Sequence, residues 1–201
     1  PSGLLIARAK GVDIRAHGSG NIGATNVWRV LGKGPGLLCF GIDMAKGLVP
    51  TLGAGLAAGV VGKAAVPAGD AWLWLATVAA AILGHMYSPW IGFKGGKGVA
   101  TGFGALLGGY PLLTGPALGA VAAWVVISKM RRYVSLASCV AAVSLPLWLG
   151  LTIETLSDVP DRHVRAVPFY VVTGLLAVVV LLKHRANIGR LLKGTENRIG
   201  Q

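Results

Sequence analysis

Residues 71–93 read AWLWLATVAAAILGHMYSPWIGF. The stretch contains no Asp, Glu, Lys or Arg. It exceeds the ~20 apolar residues that carry a helix across a bilayer core. Its reading decides the fold, because comparable runs lie on both sides of it. They cover residues 36–61, 99–110, 111–128, 133–153 and 166–182. Residues 4–7, LLIA, read as the tail of one more apolar helix whose beginning lies before Pro1. The pattern predicts an all-α polytopic membrane helix bundle of about seven transmembrane segments, the first one truncated. Residues 99–110 are too short to span alone, about 18 Å as helix. They are expected to start earlier or to form a half-helix turning at Gly108-Gly109-Tyr110-Pro111. A re-entrant hairpin there would leave five full spans with the same sidedness.

Composition agrees. Of 201 residues, 54% are hydrophobic and only 13% charged, against about 25% in soluble domains. Mean hydropathy is +0.67. Residues 1–201 are expected to form a single integral-membrane domain. The net charge of +12 would ordinarily suggest nucleic acid. Here the cations fall in short stretches between apolar runs, as positive-inside loops do, so no nucleic-acid partner is expected. Cys39 and Cys139 lie within apolar runs, where buried inert thiols are expected. No metal cluster and no cofactor motif is visible.

The basic stretches are 8–33, 94–97, 129–132 and 183–198. The acidic ones surround Asp70 and Glu154, Asp158 and Asp161, joined only by Lys63, Arg162 and Arg165. The positive-inside rule then puts the N-terminus outside and the C-terminus in the cytoplasm. Asp43 and Lys46 fall inside an apolar segment, where an i, i+3 ion pair facing the bundle is expected. Gly55-x-x-x-Gly59 has the spacing for close helix packing.

Most of the polar chemistry falls on the basic side, in three places. The first is GSGNIGATNVWR, residues 18–29. Gly18-x-Gly20-x-x-Gly23 spells a dinucleotide fingerprint, but no soluble βαβ unit surrounds it. The physics it shares with such loops is a glycine turn that aims backbone N–H groups at an anion. Thr25 or Asn26 would cap the following helix. Ser19, Asn21 and Thr25 supply neutral donors, and Arg29 a cationic fork. The second is FKGGKGVATG, residues 93–102. Gly95, Gly96 and Gly98 around Lys97, opening a helix at Val99, form another anion nest. It is not a Walker A loop, since Gly98 follows Lys97. The third is KHRANIGRLLKGTENRIG, residues 183–200, where His184 and Asn187 share a helical face. Glu196 is expected to pair with a neighbouring Arg in a structural role. His85, late in its segment, is expected in a hydrogen-bonded packing role near the same face. His17 borders the first loop, and His163 lies on the outer side.

The ordered set GSGNIGATNxxR, DxxKG, GH, FKGGKGVAT, RYVSLAS and HRxNIxRLLxGxE resembles the bacterial acyl-phosphate:glycerol-3-phosphate acyltransferases over nearly the whole chain. The resemblance implies a seven-helix bundle in the bacterial inner membrane, with its active site near the cytoplasmic surface. It implies transfer of a fatty acyl group from acyl phosphate to the 1-hydroxyl of sn-glycerol 3-phosphate. Lysophosphatidate and phosphate would result, the first step of phospholipid synthesis. Ser19 and Arg29 match active-site positions of that family, and His184 and Asn187 its functional His and Asn. Gly95, Gly96, Lys97 and Gly98 match its glycerol-phosphate loop, with Asn21 and Thr25 inside the first motif. Glu196 matches an acidic structural residue. The implied partners are acyl phosphate, glycerol 3-phosphate, membrane lipid and the enzyme that makes acyl phosphate.

The residue chemistry fits that implication. Two phosphate-bearing substrates need two anion sites, for which Arg29 and Lys97 are the cations. An acyl phosphate has a good leaving group, so orientation and cationic stabilisation supply much of the acceleration. The base is either His184, oriented by Asn187, or a substrate phosphate oxygen. An acyl-Ser19 route ranks below direct attack, because no Ser-His-Asp set is near it. The rival class is a transporter or channel for a phosphorylated metabolite. It would need polar residues through the bilayer midplane, and only Asp43 and Lys46 qualify.

Overall fold

The computed structural model describes residues 1–156 and 158–199. Among them all regular structure is helical. The first helix, α1 (Ser2–Arg8), takes in the apolar residues 4–7. A loop with one 3-10 turn (Ile14–Ala16) leads to α2 (Ala24–Leu31) and, past Gly32, to α3 (Lys33–Ala57). Next comes α4 (Ala68–Met86), prolonged by a 3-10 turn (Pro89–Ile91), then α5 (Val99–Gly108) and α6 (Thr114–Arg131). The chain finishes with α7 (Val134–Glu154), the single turn α8 (Arg162–Arg165), α9 (Val167–Lys183) and α10 (Arg185–Leu192).

Three helical stretches are long and apolar enough to cross a bilayer: Lys33–Ala57, Ala68–Ile91 and Val134–Glu154. The pair α9–α10, bent by 61°, makes a fourth if it is one broken span. Only 22% of the most apolar window of α3 is buried. Leu37, Leu38, Val49 and Leu56 of α3 point outward, as do Val143, Leu147 and Leu151 of α7 and Leu175, Val178 and Leu182 of α9. Contiguous exposed aliphatic faces of this extent need an apolar surround, so the helices belong in a membrane.

The main core is built from α4, α5, α6, α7 and α9, around Trp74, Leu75, Leu113, Leu149, Ile153 and Phe169. A smaller cluster, Leu4, Ala7, Ile14, Ile22, Val27 and Cys39, fastens α1 and the first loop onto α3. Both Cys39 and Cys139 are free and buried.

The tight crossing is between α3 and α5. A Cβ on Gly47 would lie 2.1 Å from the Thr101 carbonyl oxygen, and one on Gly104 2.0 Å from that of Met44. Small residues let these backbones touch, as membrane helices require when lipid competes equally for apolar surface. The expected Gly55/Gly59 packing pair is not what forms. Gly55 does pack, but against the indole of Trp74, whereas Gly59 lies past the end of α3 at φ +64° with open space around it. The helix ends too early for the fourth residue of the spacing to remain on its face.

As expected, Asp43 and Lys46 pair at 2.5 Å, with the Asp43 side chain 3% exposed. The Ser2 hydroxyl also donates to Asp43.

Candidate active site

The first glycine loop is organised by one side chain. Asn26 is buried on α2, and its Nδ2 reaches the carbonyls of Ile14 (3.3 Å), His17 (3.1 Å) and Asn21 (2.9 Å). Its Oδ1 accepts from the Ser19 backbone N–H at 2.8 Å. This corrects the expected capping role: α2 begins at Ala24 with Gly23 as its cap residue. Thr25 and Asn26 are therefore already inside the first turn, so neither is the cap. Gly18 and Gly20 take φ of +59° and +67°, conformations that cost a residue with a Cβ. Asn21 turns partly inward, its Oδ1 accepting from the Gly23 N–H at 2.8 Å. Ser19, Thr25 and Arg29 stay exposed, and their side chains make no hydrogen bond among the described residues. His17 instead bonds the Asp13 carbonyl through Nδ1 at 2.9 Å.

The second loop lies on the end of α4. The Gly95 N–H donates to the Met86 carbonyl at 3.1 Å. Lys183 donates to the same carbonyl at 3.3 Å while its ammonium covers the Tyr87 ring at 3.8 Å. Gly98, at φ +79°, opens α5, as the motif predicts. His85 packs beneath the loop. Its Nδ1 is 3.7 Å from an Asp43 oxygen, too long for the hydrogen bond expected of it.

The third segment does not continue as one helix. The chain breaks at His184, between α9 and α10. His184, the N-terminal cap residue of α10, and Asn187 within it are nonetheless both buried. His184 Nδ1 contacts the Val180 carbonyl at 2.8 Å. A carbonyl only accepts, so Nδ1 carries the proton and Nε2 keeps its lone pair in the neutral ring.

The second and third places meet in one hydrogen-bonded chain. Lys97 Nζ donates to Asn187 Oδ1 at 2.5 Å. Asn187 Nδ2 donates to Glu196 Oε1 at 2.6 Å. Arg190 Nε donates to Glu196 Oε2 at 2.7 Å, the pairing expected for Glu196. Ser135 Oγ adds a donor to Glu196 Oε1 at 2.8 Å. Burial lowers the Lys97 pKa; Glu196 opposes this, while Arg190 and Arg29 are near enough to lower it further. Arg29 of the first loop thus stands within electrostatic reach of the second. His184 has Lys97 and Glu196 as charged neighbours.

A family model described as glycerol-3-phosphate acyltransferase matches residues 1–194. The chain belongs to the glycerol-3-phosphate acyltransferase family. A glycerol-3-phosphate acyltransferase of Geobacter sulfurreducens is 47% identical over 98% of this chain and 90% of its own. One from Aquifex aeolicus is 42% identical over the same shares. The crystal structure of PlsY (YgiH), an integral membrane glycerol 3-phosphate acyltransferase, in its glycerol 3-phosphate form superposes with TM-score 0.80. That chain is 39% identical, with 98% of this chain and 88% of that one covered. Its lysophosphatidic acid form gives a TM-score of 0.79.

Within this acyltransferase, Asn26 and Ser135 hold the site together although neither was singled out as a site residue from sequence. Asn26 sits in a motif crowded with better phosphate ligands. Ser135 opens an apolar helix, where a lone hydroxyl reads as a neutral packing residue. The tail beyond α10 folds back over the α6–α7 turn as well. The Ile199 N–H donates to the Arg132 carbonyl at 2.7 Å, and Arg198 Nε to the Tyr133 hydroxyl at 3.0 Å.

Proposed function

We propose that this member of the family transfers a fatty acyl group from acyl phosphate to the 1-hydroxyl of sn-glycerol 3-phosphate, releasing lysophosphatidate and phosphate. The observation that carries the reading is the hydrogen-bonded chain of Lys97, Asn187, Glu196 and Arg190, with Arg29 within electrostatic reach of Lys97. Two phosphate-bearing substrates require such cations. Lys97 with the Gly95, Gly96 and Gly98 backbone receives the glycerol phosphate. Arg29, with Ser19, Asn21 and Thr25, receives the acyl phosphate.

The glycerol hydroxyl oxygen attacks the acyl carbonyl carbon, and the carbon–oxygen bond to phosphate breaks. The hydroxyl proton passes to His184 Nε2, the lone-pair nitrogen left by the Val180 contact. The departing phosphate carries the negative charge away, stabilised by Arg29. Asn187 orients Lys97, and the Val180 carbonyl orients the His184 ring.

The chain acts as a single domain with seven spans, N-terminus outside, in the bacterial cytoplasmic membrane. The basic loops and the site face the cytoplasm, where the enzyme that makes acyl phosphate can deliver it. The sidedness of the cations supports this.

The test is purified protein in detergent with glycerol 3-phosphate and three donors: acyl phosphate, an acyl thioester of coenzyme A and an acyl thioester of carrier protein. Phosphate release and lysophosphatidate should appear with acyl phosphate alone. Transfer from a thioester with none from acyl phosphate overturns the donor. A stable acyl-Ser19 adduct able to pass its acyl group to glycerol 3-phosphate overturns direct attack.

A further inference from the structure

Behind the second glycine loop lies a buried set of polar groups that the proposed chemistry does not use. Asp43 on α3 accepts from Ser2 and pairs with Lys46. Its Oδ1 faces His85 Nδ1 at 3.7 Å, with side-chain exposures of only 6% and 3%. The other edge of the imidazole meets the loop. A Cβ placed on Gly96 would lie 2.1 Å from His85 Nε2, and one on Gly95 2.1 Å from the His85 carbonyl oxygen. The ring therefore fills the space that a side chain at position 96 would need, and the loop backbone rests directly on it.

We infer that Asp43 and His85 are positioning residues for the phosphate loop: the carboxylate sets the rotation of the imidazole, and the imidazole sets the height of the Gly95–Gly96–Lys97 backbone. The inference rests on the reading of that loop as the glycerol-phosphate site. Three facts favour positioning over plain packing. The contact is ring to backbone, so moving the ring moves the loop's N–H groups and not just a neighbouring side chain. From α3 the ring faces, at 3.7 Å, a carboxylate that is itself fixed by two further partners. The loop is also pinned at Gly95 by the Met86 carbonyl, which Lys183 shares, so the ring supports the backbone at the next residue, Gly96. A nest must be held within about half an ångström to keep its donors on an anion.

The experiment compares His85→Ala, His85→Gln, Asp43→Asn, the double variant Asp43→Asn/His85→Ala and Gly96→Ala, each purified in detergent. Saturation curves are measured for glycerol 3-phosphate and for acyl phosphate, with thermal denaturation alongside. His85→Ala should raise KM for glycerol 3-phosphate about tenfold or more while kcat and the KM for acyl phosphate change much less. His85→Gln should recover part of this. Asp43→Asn should act in the same direction, and the double variant should be no worse than His85→Ala, because both changes remove one device. Lower melting temperature with an unchanged KM would reduce the pair to packing and overturn the inference. Additive effects in the double variant would overturn the link between Asp43 and the ring. Gly96→Ala separates the two readings. If it leaves KM for glycerol 3-phosphate untouched, the loop is not the phosphate site. If it raises KM and His85→Ala does not, the loop reading stands and the positioning inference falls.

Discussion

The Lys97 ammonium lies 2.5 Å from the side-chain oxygen of Asn187, a residue 90 positions further along the chain. That bond joins two motifs that are unrelated in sequence. It also aims Lys97 within the glycine loop and ties it, through Glu196, to Arg190 and Ser135. Lys97→Ala and Arg29→Ala should each lower turnover by about a hundredfold or more, the scale seen when a charge-stabilising donor is removed. Both variants should still insert in the membrane. Steady-state assays in detergent check this, and near-wild-type turnover in both would sink the two-cation reading.

Burial of Lys97, with Arg190 and Arg29 nearby, holds its pKa below the ordinary 10.5 despite the opposing Glu196. A lysine so placed loses its proton, and its hold on phosphate, at a lower pH than a solvated one. KM for glycerol 3-phosphate should therefore climb on an alkaline limb that starts below pH 10.5. Lys97→Arg should move that limb upward, since a guanidinium stays charged. Identical alkaline limbs in both proteins would contradict the assignment.

Burial alone would raise the pKa of Glu196, but the hydrogen bonds from Asn187, Ser135 and Arg190 outweigh it and the net shift is downward from 4.5. The sign follows by linkage: the folded state holds the carboxylate more tightly ionised than the unfolded one. Its contribution to stability is thus complete above about pH 4.5 and lost as pH falls through the lowered value. Glu196→Gln should denature at lower temperature at neutral pH and show a flatter acid dependence than the parent. Melting curves between pH 3 and pH 7 would expose the difference.

Asn26→Ala removes the side chain that gathers Ile14, His17, Ser19 and Asn21. Stability should fall by about 1–3 kcal/mol, the cost of leaving buried polar groups unpaired. kcat/KM should fall as well, since the first loop would no longer hold one shape. Amide exchange across residues 14–23 should quicken. Unchanged exchange there would show that the loop is held by something else.

Gly104→Ala would place a methyl 2.0 Å from the Met44 carbonyl oxygen. The α3–α5 crossing should open, at a cost of about 1–3 kcal/mol for forced overpacking. Gly34→Ala, where no atom lies within 4 Å of the added carbon, should change little. Thermal denaturation of the two in one detergent compares them directly.

The apolar runs were legible because each one is uninterrupted, and bilayer thickness fixes the length that such a run must have. Helices α3, α7 and α9 accordingly start and stop within a few residues of the sequence boundaries, whereas α4 stops at Met86 and only its 3-10 turn carries the segment on to Ile91. The Asp43–Lys46 pair was legible too, because two charges one turn apart in an apolar helix have few other ways to be neutralised. Gly55/Gly59 misled, since spacing says nothing about where the helix stops. The capping residue of α2 misled because Gly23 competes with the hydroxyl and amide that follow it.

The sequence by itself determined the membrane helices, the glycine turns and the residue types able to grip phosphate. Each of these follows from hydrophobic length or local backbone geometry. Only the tertiary structure decided which of these residues meet. Lys97 finds Asn187 because α9 breaks at His184, and Glu196 returns to Ser135 because the tail folds over the α6–α7 turn. His85 reaches Gly96 because the second loop lies back on α4. Such meetings depend on how helices far apart in sequence pack. Neither a period nor a spacing carries that information.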